Sequence, residues 1–157
     1  MPLSPNTANN PIPLEHGLSL DVTAGPAEDD LATIRQGLAA FNDTAYIPAE
    51  RTALAIFVRD ETGTVKGGLY GYTAWGWLYV QWLWLDESLR GQQLAGRLLA
   101  AAEIEAQVRG CHGAVIDTFN PKARHAYERA GYQVFGELAD FPKGHSRTYL
   151  QKRLGTA

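Results

Sequence analysis

An apolar helix begins within residues 89–99, LRGQQLAGRLL, without the residues that usually start a helix. A helix start normally carries a Ser, Thr, Asp or Asn cap and acidic residues, because its first backbone N–H groups are unpaired and bear partial positive charge. Every residue from Arg90 to Gly96 is neutral or basic, and the acidic Asp86 and Glu87 lie before them. Such a start favours an anion, and a pyrophosphate is its natural occupant. The alternative is a surface turn whose arginine extends into solvent.

A second motif, N-x-x-A-x-x-x-Y-x-x-x-G-Y, follows the strand predicted after this helix. Asn120 and Pro121 are typical of a helix cap followed by a proline in the first turn. Tyr127 lies in the middle of this helix, and without further context its side chain is expected to pack on a sheet. The motif comprises Asn120, Ala123, Tyr127, Gly131 and Tyr132.

The elements that must position these two motifs follow one another in a mixed α/β order, with a crossover connection around the middle helix. Ligands of such sheets bind where a strand's carboxyl end meets a helix N-terminus. Three glycines, Gly67, Gly68 and Gly71, indicate a bulge or a close approach to the backbone. The predicted strands are 18–25, 53–60, 65–75, 77–85, 113–119, 132–138 and 146–154, the predicted helices are 29–41, 94–109 and 121–130, and 42–52 is a predicted loop.

Composition limits the class of protein. The chain has 157 residues, 45% of them hydrophobic and 20% charged, which is typical of one globular domain. We expect a flexible, proline-rich segment over 1–17 and a single domain over 18–157. The net charge of −3 gives little support to a nucleic-acid partner. No apolar segment approaches the roughly 20 residues that span a bilayer, so no membrane partner is expected.

The cysteine and histidine content points to a cytoplasmic protein without a structural metal. The single cysteine, Cys111, excludes an internal disulfide and is expected to be buried. The four histidines show no ligand spacing, so no metal site is expected.

Together, the two motifs resemble the GNAT acetyltransferase superfamily over residues 78–132. The resemblance implies an α/β fold with a mixed, mainly antiparallel central sheet and flanking helices, and acetyl-coenzyme A as acyl donor. In that family an R/Q-x-x-G-x-G/A turn wraps the cofactor pyrophosphate, and it maps here to Arg90, Gln93 and Ala95. Gln93 stands where the family has glycine, which puts cofactor affinity in doubt. The implied cofactor-binding residues are Leu83, Leu85, Arg90, Gly91, Gln92, Gln93, Leu94, Ala95, Gly96, Asn120 and Tyr127.

The same resemblance assigns catalytic roles. The end of the strand 77–85 should splay from its neighbour, and a free N–H near Leu83 would polarise the thioester carbonyl. The side chains of Leu83 and Leu85 can still pack in the core, because the proposed role belongs to the backbone. Tyr127 matches the residue that donates a proton to the departing coenzyme A thiolate.

The general base is not defined by the motifs. Many members of the family use a carboxylate on the central strand, and this strand carries Gln81 instead. Asp117, Asp140 and His145 remain as candidates. His145 is assigned a catalytic or acceptor-binding role, since its loop borders the acceptor site in this fold, whereas Asp117 is expected to be structural.

Four tryptophans flank the hairpin turn in two pairs, which simple alternation places on opposite faces of the sheet. One pair should then be core. The other would line an acceptor pocket with Phe41 and Tyr46 and favour an apolar or cationic amine. Core packing of all four is the alternative. These residues are Trp75, Trp77, Trp82 and Trp84.

The leading hypothesis is therefore an N-acetyltransferase that moves acetyl from acetyl-coenzyme A to a primary amine of a small molecule by direct attack in a ternary complex. Three alternatives stay open: acetylation of protein N-termini or lysines, an acyl-coenzyme A sensing module without turnover, and an interaction domain without cofactor. Gln93 and the missing strand carboxylate motivate the sensing module. The sequence does not define the oligomeric state, although an edge strand over 146–154 could pair across a two-fold axis and form a homodimer.

Overall fold

The computed structural model describes residues 11–155, which fall into two compact units that divide after Tyr46. The first unit contains two short antiparallel strands, β1 (Ile12–Pro13) and β2 (Ser19–Leu20), and one helix, α1 (Glu28–Ala45). A 3-10 turn, Glu15–Gly17, joins the two strands. The predicted flexible segment lies outside the described residues over 1–10, and 11–17 carry β1 and this turn.

The predicted strand over 18–25 is mostly wrong, because only Ser19 and Leu20 are paired. A local turn replaces the strand further on, where the Gly25 N–H donates to Thr23 Oγ1. Helix α1 begins with three acidic residues, Glu28, Asp29 and Asp30, which complement its positive end.

The predicted loop begins four residues too early, since α1 continues beyond Phe41 to Ala45. The Tyr46 N–H donates to the Asn42 carbonyl, and the helix ends shortly before Pro48, as helices usually do.

The second unit holds a six-stranded sheet in the order β3-β4-β5-β6-β8-β7. Every neighbouring pair is antiparallel except β5 and β6, which are parallel and joined by a crossover. This is the predicted mixed, mainly antiparallel α/β sheet with flanking helices. The elements are β3 (Thr52–Arg59), β4 (Val65–Ala74), β5 (Trp77–Leu85), α2 (Leu94–Val108), β6 (Gly113–Thr118), α3 (Pro121–Arg129), β7 (Gln133–Ala139) and β8 (Ser146–Arg153).

The expected edge strand over 146–154 is wrong. β8 lies inside the sheet, hydrogen-bonded to β6 on one side and to β7 on the other. The edges of this sheet are β3 and β7. Because both sides of β8 are already paired, it has no free edge to offer a second copy.

The core of the second unit lies between the sheet and helix α2. Leu99, Ala102 and Ala106 of this helix are fully buried, since they recur on one helical face. Cys111 is buried as predicted, and burial raises the pKa of its thiol. The sheet side of the core includes Leu54, Leu69, Leu78, Val80, Ala114, Ile116 and Leu150. Over residues 11–155, no helix has both the length and the apolar character needed to cross a bilayer.

Candidate active site

Strands β5 and β6 separate before they end. Their parallel pairing runs from Trp77 with Gly113 to Val80 with Ile116 and stops there, although β5 continues to Leu85. This is the splay expected at the end of the strand. It leaves the side of the β5 backbone that faced β6 open beyond Val80, at the mouth of the crossover that leads to α2.

A bulge in β5 precedes the splay. Gly71 pairs with Val80 and Tyr70 pairs with Trp82, so Gln81 is an extra residue that has no partner on β4. The three glycines of β4 lie where strands crowd the backbone. A Cβ on Gly71 would collide with the Tyr79 carbonyl, as the sequence predicted for a close approach.

The bulge overturns the predicted arrangement of the tryptophans. Because Gln81 is an extra residue, the alternation of β5 side chains between the two faces shifts by one residue after it. Trp77, Trp82 and Trp84 therefore share one face of the sheet. None is buried: Trp82 is 69% exposed and Trp84 55%. Trp75 lies in the hairpin turn with φ of 49°, where its indole N–H donates to the Ile47 carbonyl. Core packing of all four is therefore wrong, as is the placement of the pairs on opposite faces.

The same bulge keeps two leucines on the core face. Leu83 and Leu85 are partly buried and pack against the core, as their apolar character predicted. Tyr70 and Tyr79 join the tryptophans on the other face, with ring centroids of Tyr70 and Trp82 4.9 Å apart. Phe41 and Tyr46 belong to the first unit, and their part in acceptor binding stays a prediction.

Helix α2 begins as the sequence predicted, with no acidic residue in its first turn and no side chain capping its N-terminus. The turn before it is left-handed at two residues, Gly91 with φ of 76° and Gln93 with φ of 58°. A glycine adopts this region without penalty, whereas the Cβ of a glutamine is strained there. A glycine at position 93, which the resemblance implies, would avoid this strain.

Asp86, which lies before the turn, is engaged elsewhere. The Asp86 carboxylate caps a separate 3-10 turn, Glu87–Leu89, and accepts from the Ser88 N–H at 3.0 Å. Hydrogen bonds from Ser88 hold the pKa of Asp86 below its ordinary value. Gln92 Nε2 donates to the Ser88 carbonyl at 3.2 Å. The first backbone N–H groups of α2 are therefore left without a carboxylate partner in the described part of the chain.

Helix α3 carries the second motif. Asn120 caps it, accepting from the Lys122 N–H at 3.0 Å, and Pro121 is its first residue, as predicted. Tyr127 is 5% exposed and lies in the core cluster. Burial raises its pKa to about 12, with a smaller contribution from the Asp117 carboxylate. Its phenol therefore keeps its proton at neutral pH.

A cleft of about 760 Å³ opens at the splay. It brings Leu83 and Tyr127 together, two of the three predicted catalytic residues. One side of its lining comes from β5 and the other from β6 and β8. The lining includes Tyr79, Val80, Gln81, Trp82, Trp84, Ile116, Asp117, Phe119, Arg147 and Tyr149.

His145, the third predicted catalytic residue, lines a different cavity of about 300 Å³. That cavity also contains Asn120 and adjoins the cleft, because Thr118 and Phe119 line both. Asp140 lines neither cavity, and its carboxylate accepts from the Gly144 N–H at 3.1 Å. Of the three candidate bases, Asp117 alone faces the cleft.

Sequence reasoning missed Arg147. It lies on β8, two residues before Tyr149, which pairs with Asp117 of β6, and its Nε is 3.4 Å from Asp117 Oδ2. No local motif marks an arginine in a strand as a site residue. The alternation of β8 would have placed it on the same face as Asp117, had the pairing of β8 with β6 been foreseen.

The comparisons with known proteins agree with this geometry. The Acetyltransferase (GNAT) family model matches residues 26–132. The acetyltransferase Atu2258 of Agrobacterium fabrum is 46% identical over 133 residues, 85% of this chain and 95% of its own. Blasticidin-S acetyltransferase of Streptomyces morookaense is 38% identical over 101 residues, 64% of this chain and 74% of its own. A crystal structure of an acetyltransferase from Agrobacterium tumefaciens has a TM-score of 0.83 at 42% identity, covering 87% of this chain and 99% of that one.

The splayed sheet and the uncapped helix start define an acyltransferase fold. The chain belongs to the acetyltransferase (GNAT) family. The match spans residues of both units, and the domain boundaries predicted from the sequence stay a prediction.

Proposed function

We propose that this chain transfers acetyl from acetyl-coenzyme A to a primary amine of a small molecule by direct attack in a ternary complex. The observation that carries the proposal is the cleft at the splay, which Leu83 and Tyr127 both line. The small-molecule acceptor is supported by a relative, 38% identical, that is named for blasticidin S.

The residues present fit the donor. Acetyl-coenzyme A is the acyl donor, and when bound it supplies an activated thioester and a thiolate leaving group. Its pyrophosphate would lie against the α2 N-terminus, which offers unpaired N–H groups over residues 91–96 and the cation of Arg90. The open backbone of Leu83 and Leu85 and the side chain of Asn120 would hold the pantetheine arm.

Two groups of this chain take part in the reaction: the backbone N–H of Leu83 and the phenol of Tyr127. The Leu83 N–H donates to the carbonyl oxygen of the acetyl group, which gains negative charge as the amine attacks. The new bond joins the amine nitrogen to the acetyl carbon, and the carbon–sulfur bond breaks. Tyr127 keeps its proton at neutral pH and gives it to the sulfur, and the proton that the amine loses restores the phenol.

The first experiment is the thermal unfolding midpoint with and without millimolar acetyl-coenzyme A. A ligand at about 100 times its dissociation constant adds roughly 2.7 kcal/mol of stability, which is a clear rise for a domain of this size. The second is release of free thiol in the presence of a panel of primary amines. A rise in the midpoint without any amine-dependent thiol would contradict turnover and favour the sensing module.

Tyr127→Phe separates the two functions further. The variant keeps the ring in the core and removes only the hydroxyl, so cofactor binding should be unchanged. For an acetyltransferase we expect kcat to fall at least about a hundredfold, the lower end of the usual range for loss of a general acid. An equal kcat in the variant would remove Tyr127 from the mechanism.

A further inference from the structure

The wall of the cleft formed by β6 and β8 carries a pair of opposite charges. Asp117 and Arg147 both line the cleft, and their side chains are 38% and 27% exposed. The Arg147 Nε is buried and has no hydrogen-bond partner among residues 11–155, because its 3.4 Å approach to the Asp117 carboxylate is poorly directed. This N–H is thus unsatisfied where it lies, and the partly exposed guanidinium that carries it lines the cleft.

Among the described residues, aromatic rings and no well-directed hydrogen bond hold Arg147 in place. Its guanidinium lies 4.3 Å from the centroid of the Phe141 ring and 5.4 Å from that of Phe119. These contacts fix the plane of the guanidinium while leaving its donors free. A planar donor fork of this kind matches a carboxylate in two parallel hydrogen bonds.

From this geometry we infer that the acceptor is a zwitterion, an amine with a neighbouring carboxylate, whose carboxylate binds Arg147 and whose ammonium binds Asp117. The inference rests on the proposed function and names its substrate class. A simple cationic amine would meet the guanidinium beside the carboxylate and be repelled by it. A zwitterion satisfies both partners, and a partly exposed ion pair of this kind contributes little to stability, so opening it costs little.

A carboxylate fits this wall better than a phosphate. The pair is neutral overall, and an amino acid adds one charge of each sign. A doubly charged phosphate would leave an unbalanced negative charge beside Asp117. The wall formed by β5 carries Tyr79, Trp82 and Trp84, which favour a planar apolar group on the acceptor.

The test compares matched acceptors on the wild-type protein. Thiol release with acetyl-coenzyme A is measured for phenylalanine, tyrosine and tryptophan and for the amines that lack only their carboxylate, phenethylamine, tyramine and tryptamine. We expect kcat/KM to be at least tenfold higher for the amino acids. Tryptophanamide is a further control. Its amine is less basic, so more of it is unprotonated, and a low rate cannot be attributed to protonation.

A variant then assigns the preference to one side chain. Arg147→Met keeps an unbranched apolar side chain against Phe141 and removes the charge. It should lower kcat/KM for the amino acids at least tenfold and leave the amines unchanged or improved. Arg153→Met is the matched control, since Arg153 lies on the same strand and face, 5.1 Å from the Trp77 ring and outside the cleft lining. It should change neither series.

The outcomes separate this inference from the proposed function. Equal turnover of amines and amino acids, turnover of amines alone, or a preference that survives in Arg147→Met would overturn the zwitterionic acceptor and leave the acetyltransferase standing. If no amine of either series causes thiol release, although acetyl-coenzyme A raises the unfolding midpoint, the proposed function is instead refuted. If Arg147→Met does not fold, the wild-type comparison decides alone.

Discussion

Val80 of β5 pairs with Ile116 of β6, and this is the last pair between the two parallel strands. On the other side of β5, Val80 is also the last residue before the bulge at Gln81. The regular pairing of β5 is thus interrupted on both sides at one point. This interruption leaves the β5 backbone open toward β6 and also places Trp82 and Trp84 on the face of Trp77. The cleft lies at the same point of the strand.

Gly71 is required for this arrangement. A Cβ at Gly71 would collide with the Tyr79 carbonyl, which belongs to the partner backbone and cannot move aside. Gly71→Ala should therefore lower the free energy of unfolding by about 1–3 kcal/mol, the usual cost of overpacking, and reduce turnover by shifting the bulge. Gly136→Ala is the matched control, because Gly136 also lies in a strand and a Cβ there meets nothing within 4 Å. Urea unfolding of both variants checks the difference, and equal stabilities would contradict the crowding.

Local sequence patterns sufficed for much of this fold. The boundaries of β5 and α2, the Asn120 cap and the unprotected α2 start all follow from short-range periodicity and cap chemistry. These features depend on neighbours a few residues away, which the sequence displays directly.

The features that could not be predicted depend on long-range pairing. The bulge at Gln81 is set by how β4 and β5 align, and it moved Trp82 and Trp84 onto the face of Trp77. The insertion of β8 between β6 and β7 brought Arg147 to Asp117 across 30 positions of sequence. Neither alignment can be predicted from a short segment of sequence, because each depends on residues that are far apart in the chain.

A negative charge at the α2 N-terminus should have opposite effects on the stability of the protein without cofactor and on its affinity for acetyl-coenzyme A. Ala95→Asp places a carboxylate in the first turn of a helix that has none. It should stabilise the protein without cofactor by about 0.3–1 kcal/mol through the helix dipole, and weaken acetyl-coenzyme A binding by repelling the phosphates. Ala95→Asn has nearly the same shape without the charge and should show neither effect in full. Thermal unfolding with and without cofactor measures both, and tighter binding by the aspartate variant would contradict a phosphate site.

Gln93 has a left-handed backbone at φ of 58°, which costs a residue with a Cβ about 1–2 kcal/mol. Gln93→Gly removes this strain but adds freedom to the unfolded chain, so a net gain of up to about 1 kcal/mol is expected. Gln93→Ala keeps the Cβ and should show no such gain. If the glutamine side chain beyond Cβ also crowds the phosphates, both variants will bind acetyl-coenzyme A more tightly by calorimetry. An alanine variant as stable as the glycine variant would argue against backbone strain.

Two buried tyrosines predict a loss of stability at alkaline pH. Burial raises the pKa of Tyr127 from 10.0 to about 12, and raises the pKa of Tyr132 as well. Between these values the unfolded chain has released the Tyr127 proton and the folded chain has not, so the unfolded state binds fewer protons. The free energy of unfolding must then fall as pH rises through this window. For Tyr127 alone the fall amounts to about 3 kcal/mol.

Tyr127→Phe tests the assignment, because the phenylalanine has no proton to lose. Its free energy of unfolding should decline less steeply than that of the wild type between pH 10 and about 12, and the curves should have equal slopes at pH 7 to 9. Urea unfolding at a series of pH values measures this. Tyr46→Phe is the control, since Tyr46 is 70% exposed and should leave the slope unchanged. Ultraviolet absorbance adds a direct readout: of the seven tyrosines, Tyr127 and Tyr132 should ionise only as the protein unfolds. Full ionisation of all seven in the folded protein near pH 10 would show that Tyr127 is accessible to water, and its role as a proton donor held in reserve at neutral pH would lose its physical basis.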